Sequence, residues 1–420
     1  MKSTIEGNWN TRHEWRTVAL LSVGFGLVGM DRFMIQPLFP VMMQDLKLDY
    51  QDLGNVTGVL AIAWGIAAIF TGRLADRLGH RRILIPATLL FSALAGLSGF
   101  AAGVGSLLII RAVMGVSEGA FTPTSIVATL EASKPSRHGL NLGIQQTAMT
   151  LVGLGLAPII VTQLLKVVPS WRWIFALVAI PGFIVAYFMY RVLRDPTPAE
   201  GALHSKTHDA SEHKWIDLFN YRNVPLNMCG MLCWLTVLTV LGALFPNYLI
   251  DHLHLSIDQM GVVMSAIGFG GSAGNLIMPG LSDRIGRKPV MIINVLLGTA
   301  CLIGLTRAGA DLSVLFGLLF IAMFCLFANI TLTVGPLTVE SVPAKLMATA
   351  SGLVVGTGEV FGGGIAPSIA GYVAKHFGIA NVLYLAVGAM ALGIVVALSL
   401  QETAPVARGK LSSTPKMAGA

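Results

Sequence analysis

The stretch Gly72-Arg73-Leu74-Ala75-Asp76-Arg77-Leu78-Gly79-His80-Arg81-Arg82 decides how this chain is read. It is a short basic turn between two long apolar runs. Asp76 sits among Arg73, Arg77, Arg81 and Arg82, and Gly79 permits the tight turn into the next run. An Asp at a helix end beside such a turn can cap a neighbouring helix and pair with the cations around it. The pattern returns 207 residues later as Leu281-Ser282-Asp283-Arg284-Ile285-Gly286, with Pro279 in the place of Gly72. Glu131 and Pro135 return as Glu340 and Pro343 at offsets of 209 and 208, and Ala157-Pro158 returns as Ala366-Pro367 at 209. Matches at nearly one offset imply an internal duplication.

The composition says what is duplicated. The 420 residues are 54% hydrophobic and only 12% charged, with a mean hydropathy of +0.73. Ordinary globular proteins carry about 25% charged residues. These figures exclude a soluble globular chain, a disordered one and a collagen. Four cysteines form no disulfide framework. What remains is a polytopic membrane protein whose spans need about 20 apolar residues each.

Twelve spans are expected, near 17–43, 52–73, 82–102, 106–130, 140–164, 171–190, 223–250, 257–279, 289–307, 312–338, 349–374 and 379–400. The expected fold is all-α, with a six-helix half over 17–190 and another over 223–400. A polar N-tail (1–16), a linker (191–222) and a C-tail (401–420) complete the chain. With the N-terminus inside, 21 of the 28 Lys and Arg fall in cytoplasmic segments and 5 in outer loops. That bias predicts both termini in the cytoplasm. It also accounts for the net charge of +7 without nucleic acid as a partner. Parallel six-helix repeats around a central cavity are an arrangement of secondary transporters.

Ionised residues inside the spans are the candidates for function, because each costs ~2.5–3.5 kcal/mol at the bilayer centre. Arg111 and Glu118, in Arg111-Ala112-Val113-Met114-Gly115-Val116-Ser117-Glu118-Gly119, are seven residues apart on one helix face. Asp31-Arg32 lies about 21 Å along the first helix and Glu118 about 18 Å along the fourth, so both fall near the midplane. Glu359 lies about 15 Å into the eleventh span. The nine histidines all fall in tails, loops or helix ends, so neither a histidine proton relay nor a metal site inside the bundle is expected. There is no Walker loop and no nucleophile–base constellation, so neither ATP, nor another cofactor, nor an enzymatic reaction is expected.

The basic turn resembles the signature loop of the major facilitator superfamily, and Arg111 with Gly115 resembles that superfamily's helix-4 motif. Asp31-Arg32 with Glu118, Trp64-Gly65, Ser170-Trp171-Arg172-Trp173-Ile174-Phe175 and Pro246-Asn247-Tyr248-Leu249 resemble the anion:cation symporter family within it, which includes the D-galactonate/proton symporter and sialin. Ile66 stands where that family often carries a Tyr, Thr150 where a sugar-acid transporter would carry a Gln, and Glu359 is outside the pattern.

The resemblance implies proton-coupled symport of a small organic anion, a carboxylate or sugar acid, by alternating access. Arg32 would hold the anion, with Gln36, Trp64, Gln145, Gln146, Thr150, Asn247, Tyr248, Asn329 and Glu359 as further substrate contacts. Asp31 and Glu118, with Arg111, would couple protons, their titration set by the balance of desolvation and neighbouring cations. Gly72, Asp76, Arg77, Gly79, Arg81, Asp283, Arg284 and Gly286 would form the gating motif. The rival reading is proton-antiport efflux of lipophilic or cationic compounds, for which Glu359 would suit a cation. The expected setting is a bacterial inner membrane, with lipid, protons and the small anion as partners and a monomer as the working unit.

Overall fold

The computed structural model describes residues 10–134, 137–193, 215–343 and 346–404. Within these it leaves out the side chains of Ile69, Gly72, Arg73, Ala75, Asp76, Arg77, Gly139 and Ala348. Both expected tails and the linker therefore lie largely outside the described residues, as does Pro135. Of the expected gating residues, the side chains of Gly72, Asp76 and Arg77 lie outside them too. The chain divides into two compact units, Met1–Ser211 and Glu212–Ala420.

Within the first unit the helices are α1 (Thr11–Phe33), α2 (Ile35–Leu46), α3 (Tyr50–Leu78), α4 (His80–Ser98), α5 (Val104–Ala132), α6 (His138–Thr150), α7 (Ala157–Val167) and α8 (Trp171–Val192). The second unit has α9 (Asn223–Asn247), α10 (Ile257–Ile285), α11 (Arg287–Arg307), α12 (Leu312–Val334), the short α13 (Pro336–Val339), α14 (Met347–Thr357), α15 (Ala366–Phe377) and α16 (Val382–Ser399). No strand occurs among the described residues. Eleven helical stretches are long and apolar enough to cross a membrane, and α3 adds a 29-residue helix in the place of the expected second span.

Several expected spans are not regular helices. The first is broken at Met34, between α1 and α2. Pro37 has no amide hydrogen to give the carbonyl of Phe33, and its ring crowds that turn, which favours a joint there. The fifth and eleventh spans each contain a π-helical stretch, Leu151–Leu156 and Gly358–Ile365. Both stretches run into the repeated Ala-Pro pair. The missing proline amide leaves the preceding turn one donor short, and a wider turn absorbs the mismatch. A third π-helical turn, Tyr248–His252, ends the seventh span.

Packing repeats as the sequence does. In the first unit α5 lies against α3 and α4, and α8 against α4; in the second α12 lies against α10 and α11, and α16 against α11. Both units use glycine where two backbones touch. A Cβ on Gly115 or Gly119 of α5 would collide with the carbonyls of Leu60 and Trp64 on α3. In the second unit the glycines sit on the other helix of the pair: Gly270 and Gly274 of α10 abut the carbonyls of Phe320 and Phe324 on α12. Small residues at such crossings supply the close packing that holds helices together where the hydrophobic effect does not. A core of Leu21, Phe25, Leu84, Phe91, Met114 and Phe121 fills the first unit, with Phe91 and Phe121 edge to face at 5.7 Å.

Candidate functional site

The first unit brings together four ionisable side chains from two helices. Asp31 and Arg32 occupy the last turn of α1, just before the Met34 joint, while Arg111 and Glu118 lie on α5. Asp31, Arg111 and Glu118 are buried, at 3%, 1% and 0% exposure. Both carboxylate oxygens of Glu118 and Oδ1 of Asp31 lack a hydrogen-bond donor among the described residues. The carboxylates of Asp31 and Glu118 are near enough to act on each other, and both Arg32 and Arg111 act on Glu118.

Arg111 reaches from α5 across to α1. Its Nη1 donates to the backbone carbonyl of Asp31 at 2.9 Å and to that of Arg32 at 3.4 Å. Arg111 thus holds the last turn of α1 in place, and no ion pair joins it to Glu118 among the described residues. Arg32 carries its guanidinium 5.5 Å from the ring centroids of both Phe33 and Trp64. Trp64 comes from α3 at the Gly119 crossing, so the glycine that brings α3 close to α5 also brings Trp64 to Arg32. The indole Nε1 of Trp64 is buried and donates to nothing described.

The remaining candidates of this unit are placed unequally. Gln36 on α2 and Thr150 at the end of α6 are buried. Gln145 is buried and donates through Nε2 to Ser125 Oγ on α5 at 3.0 Å, while Gln146 is exposed. At the basic turn Gly79 has φ +88°, the conformation its turn demands. Arg81 donates to the carbonyl of Tyr190 on α8 at 2.8 Å and lies over that ring at 4.8 Å.

In the second unit the four candidates come from three spans. Asn247 and Tyr248 end the seventh span, where Asn247 donates to Asp251 Oδ2 at 3.3 Å and Tyr248 stacks on Phe245 at 5.5 Å. Asn329 on α12 is fully buried, and neither its amide nitrogen nor its oxygen has a described partner. Glu359 lies buried in the π-helical stretch of the eleventh span. Asp283 and Arg284 are exposed, and Gly286 has φ +119°.

Several polar clusters were not anticipated. Glu14 on α1 is buried and accepts from Arg137, from Asn141 Nδ2 at 2.9 Å and from the Lys134 amide at 3.2 Å, tying α1 to the turn before α6. His80 Nε2 meets Glu131 at 3.0 Å, and Arg287 meets Glu340 at 3.0 Å. Glu402 accepts from the amides of Arg287 and Lys288 and so caps the start of α11. For the His80 and Arg287 pairs a signal was available, since these residues stand 207 apart on the repeat. For Glu14 there was none, because its partners are more than a hundred residues away.

Among relatives, a probable 4-methylmuconolactone transporter of Cupriavidus pinatubonensis is 27% identical over 369 residues, covering 86% of this chain and 84% of the relative. A hexuronate transporter of Bacillus subtilis is 25% identical over 70% of this chain and 73% of its own length. A probable L-galactonate transporter of Escherichia coli is 24% identical over 74% of this chain and 73% of its own. A solved inward-facing bacterial homologue of the lysosomal transporter Spinster superposes with a TM-score of 0.74 at 16% identity, covering 92% of this chain and 98% of the other. The nucleoside transporter NupG gives a TM-score of 0.76 at 15% identity, with 92% and 99% covered. The sequence profile of the Major Facilitator Superfamily matches residues 21–358 and again 228–418. Two overlapping matches to one profile reflect the duplication first seen in the basic turns, and the chain belongs to the Major Facilitator Superfamily.

Proposed function

We propose that this transporter carries a small organic anion together with protons. The observation that supports the reading best is the pair of buried carboxylates, Asp31 and Glu118, beside Arg32 in the first unit. A carboxylate in an apolar bundle with no donor costs several kcal/mol, roughly, so such residues mark ion or proton pathways. Arg32 offers a planar fork of donors that fits a carboxylate at two points. The anionic cargo named for the relatives points to the same substrate class.

Protonation of the two acids lowers the cost of moving the empty or loaded site between aqueous faces, which couples proton and substrate movement in alternating access. Arg111 fixes the turn that carries Asp31 and Arg32, so it acts on the site by position. The orientation belongs to the same proposal: the Lys and Arg bias puts both termini in the cytoplasm of a bacterial inner membrane. The deciding experiment is uptake of organic acids into proteoliposomes with an imposed pH gradient, after a thermal-shift screen for ligands. Accumulation driven by an acidic outside supports symport. Proton-driven movement of lipophilic cations in the opposite direction, abolished in Glu359→Gln, would replace it with antiport.

A further inference from the structure

The two units differ at one equivalent ion pair. At the start of α11 the guanidinium of Arg287 bridges to Glu340 at 3.0 Å and to Asp283 at 2.5 Å, and it donates to Ser282 Oγ at 2.7 Å. The same positions in the first repeat hold His80, at offset 207, and Glu131, at offset 209. His80 Nε2 lies 3.0 Å from Glu131 Oε2. The settings match closely: the side chains are 10% and 29% exposed in the first unit, against 8% and 27% in the second. One geometry is therefore built twice, once with a guanidinium, which keeps its proton, and once with an imidazole, the side-chain type that can gain or lose one near neutral pH.

We propose that His80 and Glu131 form a proton-binding site, a clasp between the start of α4 and the end of α5 that is tight when His80 is protonated and loose when it is neutral. The carboxylate is the ring's only hydrogen-bond partner among the described residues, since Nδ1 is buried and meets neither donor nor acceptor. Among the described residues protonation thus acts on one contact, turning a neutral hydrogen bond into a charge-assisted one of roughly twice the strength. The partly exposed carboxylate gives the proton a path to water.

Other charged and titratable groups stand at the same ends of the packed helices. Helix α3 carries Arg73, Asp76 and Arg77, whose side chains lie outside the described residues, and α5 with its following turn brings Glu131 and Lys134. Helix α8 brings Tyr187, Tyr190 and Arg191, α1 brings Arg12, His13, Glu14 and Arg16, and α4 itself carries Arg81 and Arg82. Of these, Arg81 is bonded to Tyr190 and Glu14 to Arg137 and Asn141. The clasp lies on the Lys- and Arg-rich face, so it reads the pH of the cytoplasm if the charge bias sets the orientation. It does not depend on which substrate is carried.

The test is a double-mutant cycle on the purified full-length chain, read by thermal unfolding at about pH 6 and about pH 8. It uses His80→Gln, Glu131→Gln and the double variant, with His80→Arg as the copy of the second unit. Coupling between the two positions is expected at the lower pH and is expected to fall severalfold at the higher one. His80→Arg should keep its coupling to Glu131 at both. Equal coupling of His80 at both pH values, or none at the lower, overturns the proposal. If Glu131→Gln does not fold, the comparison of His80→Arg with the parent decides alone. Their difference in melting temperature should widen from the lower pH to the higher, and a constant difference overturns the proposal.

Discussion

Arg32 and Glu118 are separate side chains with separable tests. Arg32→Ala removes the cation that lies against Trp64 and Phe33, and binding of an organic acid should be lost. Losing one partner of a buried charge pair costs about 2–5 kcal/mol. Arg32→Lys should bind more weakly than the parent, because an ammonium cannot present two parallel donors. Unchanged affinity in Arg32→Ala, by thermal shift or calorimetry, would exclude the anchor. Glu118→Gln keeps the shape of the protonated acid but cannot release a proton. It should retain substrate counterflow and lose accumulation driven by a pH gradient. Because the Glu118 oxygens accept no described hydrogen bond and form no described pair with Arg111, the change breaks no described contact and the variant should stay folded. A packing role would instead cost stability and every transport mode together. These residues were legible in the sequence because an ionised group in an apolar run is rare. The stacking of Trp64 on Arg32 was not, since it depends on how closely α3 approaches α5.

At the level of elements, geometry is set by a few residues that stop a helix from being regular or let two helices touch. Pro37 breaks the first span at Met34 and leaves Asp31 and Arg32 on the last turn before the joint, where Arg111 reaches their carbonyls. The proline was visible in the sequence, but the break was not expected, because a proline in a bundle can be accommodated by a kink alone. Gly119 is the stricter case. Its missing Cβ lies against the carbonyl of Trp64, so Gly119→Ala must push α3 from α5. Overpacking of this kind costs about 1–3 kcal/mol. The variant should melt lower than the parent and bind substrate less well, since Trp64 moves with its backbone. Gly143→Ala, inside α6 with open space around it, serves as the control and should melt no lower than the parent.

At the scale of the molecule, the repeat governs. Helix order, the paired crossings and the π-helical stretches before Ala157-Pro158 and Ala366-Pro367 recur between the units, while the charges of the Asp31–Arg32–Arg111–Glu118 cluster do not. Phe320 and Phe327 stand where offset 209 would put the partners of Arg111 and Glu118, so the ionisable cluster belongs to the first unit alone. The orientation carries its own prediction. A reporter that fluoresces only in the cytoplasm should light up when fused to either terminus, and a dark fusion at both would reverse the assignment made from Lys and Arg.

The sequence alone determined the membrane class, the helical content and the duplication, because each is written in local quantities: apolar run length, charge density and motif offset. It also singled out Asp31, Arg32, Arg111 and Glu118, since charge inside an apolar run stands out without a partner being known. Only the tertiary structure decided what those side chains meet. Arg111 holds backbone carbonyls of α1, Gln145 is tied to Ser125, and Glu14 and His80 find acids and bases far along the chain. Such pairings depend on which helix faces pack together and at what separation. Helical periodicity gives the face of one helix and leaves its neighbour unspecified.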